Sequence, residues 1–126
     1  MDLMPKFQDF LRAYDFNLLE SKFGGNVEIY SSNCIILKIV QDRNMFNSME
    51  IFVKEDPDNW FSLNIIRSFI LKNEDYLQAL DFDMGLCFFM EYYATIIDLF
   101  NSKNYYSTIK SLKKLEDKRA EIRYGK

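Results

Sequence analysis

The spacing of apolar residues changes period twice along this chain, and that alternation restricts the fold more than any single residue does. Phe7, Phe10, Leu11 and Tyr14 fall at i, i+3, i+4 and i+7, the stripe of a short amphipathic helix. Pro5 stands near its start, where a missing N–H does no harm. From Phe16 the period becomes two, and four runs over residues 16–23, 26–30, 34–40 and 48–54 read as strands. Beyond residue 60 the helical period returns. Such a succession predicts an α+β fold in one domain over residues 1–126: an N-terminal helix, a four-stranded antiparallel meander, then about three helices packed on the sheet.

The punctuation between the strands agrees with this order. Gly24-Gly25 supplies a tight hairpin turn, Ser31-Ser32-Asn33 a second turn, and residues 41–47 a polar loop that holds the apolar pair Met45-Phe46. The third run is the strongest strand. Ile35, Leu37 and Ile39 take one face, while Cys34, Ile36 and Val40 take the other beside Lys38. A strand apolar on both faces belongs at the centre of a sheet covered on both sides, or it leaves a sticky surface. In the fourth run Met49, Ile51 and Val53 point inward and Glu50, Phe52 and Lys54 outward.

The helical half begins after the acidic loop Glu55-Asp56-Pro57-Asp58-Asn59. Ser62 is placed to cap a helix over residues 63–71, with Ile66, Phe69 and Ile70 buried. Residues 73–80 read as a short helical turn or a loop. Asp83 can cap a long apolar helix running to Phe100, too short and too charged, with Glu91 and Asp98, for a membrane span. Asn101-Ser102 ends it, and Tyr105, Ile109, Leu112 and Leu115 form the stripe of a last helix.

Composition narrows the chemistry. The chain contains no histidine, which removes the Ser-His and Cys-His nucleophile pairs, His-based zinc sites and the commonest general base. The two cysteines, Cys34 and Cys87, lie in apolar runs and read as buried, reduced thiols. The N-terminus carries an acid and no hydrophobic stretch, so it reads as no signal peptide, and a cytoplasmic location is expected. Residues 1–102 carry 8 basic and 16 acidic side chains, whereas residues 103–126 carry 8 basic and 3 acidic. An acidic body with a basic end suits a protein partner chosen by charge. The segment Lys113 to Arg119 has acids among its bases, and the body would repel phosphate, so nucleic acid is not expected as a partner.

The carboxylate pairs Asp56/Asp58, Glu74/Asp75 and Asp81/Asp83 fall in turns and at helix starts, where acids serve as caps and meet the positive helix end. Neither Asp-x-Asp continues into a calcium loop, and no metal or cofactor site is read. Gly24-Gly25 lacks the spacing of a phosphate loop. Glu91 and Asp98 lie seven apart, so one helix would carry them on one face, as a solvent stripe or as the lining of a groove. The doublets Trp60-Phe61, Tyr92-Tyr93 and Tyr105-Tyr106 diverge by about 100° on a helix, so one member of each should stay at the rim. Exposed Trp and Tyr are the residues that carry binding hot spots.

The succession of Phe7, Phe10, Leu11, Tyr14 and Phe16, a hairpin with Val27, Ile29 and Tyr30, then residues 35–39, Asp42, Glu50-Ile51, Phe61-Ser62-Leu63 and Ile65-Ile66 resembles small bacterial proteins, some of them encoded as immunity partners in polymorphic toxin systems. The resemblance implies a cytoplasmic protein that neutralises a cognate toxin by binding it. The residues themselves point to a non-catalytic binding protein for a basic protein, with Glu55, Asp56, Asp58, Trp60, Glu74 and Asp75 as candidate contacts. The alternative is a homo-oligomeric structural or regulatory component, a homodimer for example, packed across a symmetry axis through Ile36, Val40 and Phe52 and the long apolar helix. An enzyme working with Glu91 and Asp98 alone ranks last, and would need both to face one deep cleft.

Overall fold

In the computed structural model, residues 3–41, 47–73 and 82–124 are described. Helix α1 (Met4–Ala13) leads into the strands β1 (Asn17–Lys22), β2 (Val27–Ser31), β3 (Ile36–Gln41), β4 (Asn47–Phe52) and β5 (Phe61–Ser62). Helices α2 (Leu63–Leu71), α3 (Phe82–Glu91), α4 (Tyr93–Leu99) and α5 (Tyr105–Tyr124) follow. The strands pair antiparallel in the order β1-β2-β3-β4-β5, a meander. The α+β architecture is as the periodicity predicts, with one addition. Phe61-Ser62, read as the approach to a helix, pairs with Ile51 and Glu50 and closes the sheet with a fifth, very short strand.

Register fixes what each face of the sheet does. Leu37 lies opposite Tyr30 on one side and Ile51 on the other, and Ile51 lies opposite Phe61. With Ile39 and Met49 these side chains form the inner face, against which Phe7, Leu11, Ile65, Ile66, Leu86, Phe89 and Ile96 are buried in one cluster. Burial of this apolar surface is the main stabilising term, at about 25 cal/mol per Å². Phe89 is the hub: its ring meets Phe7, Phe10, Phe16 and Tyr93 edge-on at centroid distances of 6.0, 6.0, 6.4 and 5.6 Å.

The opposite face of the sheet carries Val27, Ile29, Ile36, Val40 and Phe52 around a Lys38–Glu50 ion pair of 3.8 Å. Ile36 is buried, yet it stands outside the core cluster. Its neighbours on that face are half-buried. A strand apolar on both sides therefore sits at the centre of the sheet, with the main core on one side of it only.

Several local expectations are corrected. The turn after β1 is not a two-residue hairpin, because Lys22 pairs with Val27 and four residues lie between them. Phe23, Gly24 and Gly25 all take left-handed conformations, with φ of 55°, 66° and 92°. Both glycines adopt these angles at no steric cost, whereas Phe23 does not. The long apolar helix is two helices. Tyr92, at φ −103° and ψ 18°, interrupts the α geometry and separates α3 from α4. Tyr92 stacks on Phe88 at 4.8 Å, and Tyr93 joins Phe10, Tyr14, Phe16 and Phe89, so the doublet serves two clusters and both rings are half-buried.

Helix α2 has the predicted bounds, but its fully buried side chains are Ile65 and Ile66, with Phe69 and Ile70 only partly covered. Its Ser62 hydroxyl donates to Asn64 Oδ1 in place of capping the helix amides. Asp83 lies inside the first turn of α3. Both cysteines are exposed, contrary to the reading from their apolar neighbours: Cys34 sits in the turn before β3, and Cys87 on the outer side of α3. Residues 74–81 and the pair Met45-Phe46 lie outside the described residues.

Candidate functional site

Four of the six candidate contact residues share one loop between β4 and β5, and the structure shows what shapes it. Val53 remains buried as the chain leaves the sheet, then Asp56 N donates to the Val53 carbonyl at 3.1 Å and Asn59 N to the Asp56 carbonyl at 3.2 Å. Pro57 occupies the second position of the turn that these bonds close, where its fixed φ is favourable. The Asp56 carboxylate accepts from Asn59 Nδ2 at 2.8 Å and from the Tyr105 hydroxyl at 2.6 Å. A contact 49 positions away in sequence thus ties the loop to the start of α5.

These bonds fix the electrostatics. The hydrogen bond from Tyr105, and after it the one from Asn59, hold the Asp56 carboxyl below its ordinary 3.8. Burial, followed by the bond to Asp56, raises the Tyr105 hydroxyl well above its ordinary 10.0. Asp56 is therefore an anchor within the protein. The anchored loop presents Lys54, Glu55, Pro57, Asp58 and Trp60 to solvent, and Trp60 is 52% exposed. Tyr106, beside Tyr105 at the start of α5, is 84% exposed, its ring centroid 5.9 Å from that of Tyr105. Tyr105-Tyr106 divides as its divergence on helix α5 predicts, with Tyr106 outward, whereas Trp60-Phe61 divides for another reason, because Phe61 is a strand residue facing the core and Trp60 belongs to the loop before it.

A second anchor supports the same side of the sheet. Arg119 Nη1 donates to Ser62 Oγ at 3.1 Å and reaches Asn64 Oδ1 at 3.4 Å, so the C-terminal half of α5 is held to the start of α2. Asn64 is buried, and its Oδ1 also accepts from Ile65 N at 3.1 Å. Neither contact was read from the sequence, because the basic run of α5 carries no spacing that singles out Arg119. The remaining two candidates, Glu74 and Asp75, lie outside the described residues.

Glu91 and Asp98 do not meet. Glu91 lines an open groove of about 380 Å³ with Arg67, Asp83, Cys87 and Phe88. Asp98 lies in the last turn of α4, where its carboxylate accepts from Asn101 Nδ2 at 3.1 Å and its carbonyl from Asn104 Nδ2 at 2.9 Å, so it holds the turn that leads to α5. The break at Tyr92 separates the two acids that a continuous helix would have aligned. Among the described residues no group of three or more His, Cys, Asp or Glu side chains is placed to hold a metal ion, and no helix is long and apolar enough to cross a membrane. No protein-family model, curated protein or solved structure matches this chain.

Proposed function

We propose that this chain is a non-catalytic, cytoplasmic binding protein that neutralises a basic protein partner, such as a toxin domain, by direct contact through the loop of residues 53–60 and the adjoining start of α5. The observation that supports this reading is the combination of Glu55, Asp58, Trp60 and Tyr106 on solvent around a loop already held by Asp56, Asn59 and Tyr105. A loop ordered before binding loses little freedom on association, so more of its contact energy appears as affinity. The acids would steer a basic partner to the site, and the two rings would supply the buried contacts once it arrives.

The experiment is capture from the native host with wild-type bait beside a Glu55→Lys/Asp58→Lys variant and a Trp60→Ala variant. A basic protein held by the wild type, lost with Trp60→Ala, and bound more slowly and with weaker salt dependence by the charge-reversed loop is the expected result. A partner that binds all three baits alike removes this loop from the interface. An open reading frame for a toxin-like protein beside the gene would strengthen the reading, and a metabolic operon would count against it.

A further inference from the structure

We draw no further inference here: the strongest candidate, the open groove that Leu71 of α2 and Met84, Cys87 and Phe88 of α3 line beside Leu3, is an unpartnered apolar surface, and nothing among the described residues shows what covers it.

Discussion

At the β5 edge only two residues make the strand, yet Phe61 is buried in the core, Ser62 is held by Arg119, and the preceding loop is tied by Asp56 to Tyr105. At the β1 edge six residues make the strand and none is buried. Strand length and strand stability are thus uncoupled. The short edge is fixed by partners far away in sequence, and the long one by its hairpin with β2. The same sheet therefore ends in a preordered surface on one side and an exposed hairpin strand on the other.

The largest test of this contrast is truncation at each edge. Phe61→Ala should cost about 3–5 kcal/mol, by analogy with other buried Phe positions. Leu19→Ala should stay within about 0.5 kcal/mol in urea denaturation at concentrations where the chain is monomeric. Equal losses at the two positions would erase the distinction. Phe23→Asn sharpens it: Asn tolerates the left-handed region better than a bulky ring, so stability in urea denaturation should rise by about 0.5–1 kcal/mol. A loss at this position would show that the exposed Phe23 ring holds the turn after β1 in place.

The smallest effect is the pH response of the anchored loop. Asp56 has a lowered carboxyl pKa, so its contribution is complete above the ordinary 3.8 and is lost as pH falls through the depressed value. Tyr105 has a raised hydroxyl pKa, so its contribution is complete below the ordinary 10.0 and is lost as pH rises through the elevated one. Melting curves of wild type and Tyr105→Phe should differ most between these limits and converge outside them. Glu50 has the opposite sense from Asp56. Burial raises its carboxyl despite Lys38 nearby, so Glu50→Gln should leave Tm at neutral pH unchanged or slightly higher.

Periodicity made most of the architecture legible. Leu37, Ile39, Met49, Ile51 and Val53 declare the inner face of the sheet, and Tyr105, Ile109, Leu112 and Leu115 the stripe of α5, because these patterns follow from two and 3.6 residues per repeat alone. What escaped depends on partners distant in the chain. Phe61-Ser62 is too short to show a period and becomes a strand only because Ile51 and Glu50 lie beside it. The break at Tyr92 carries no Gly or Pro to announce it, and it arises where Tyr92 and Tyr93 go to different aromatic clusters. Cys34 and Cys87 misled because an apolar neighbourhood in sequence is not one in space. For the candidate site, the acids and Trp60 were legible as a turn rich in charge, whereas the division between Asp56 as anchor and Glu55 and Asp58 as exposed groups rests on Tyr105.

Trp60 is the single tryptophan in the chain, and it stands half in solvent on the loop that carries the candidate contacts. The molecule therefore comes with one indole fluorophore at the place of most interest. Its emission in the free protein should already resemble that of a hydrated indole, so denaturation would barely shift the colour of the signal. A partner that covers the loop would move it to the blue, and titration could be followed by light alone, with no label attached.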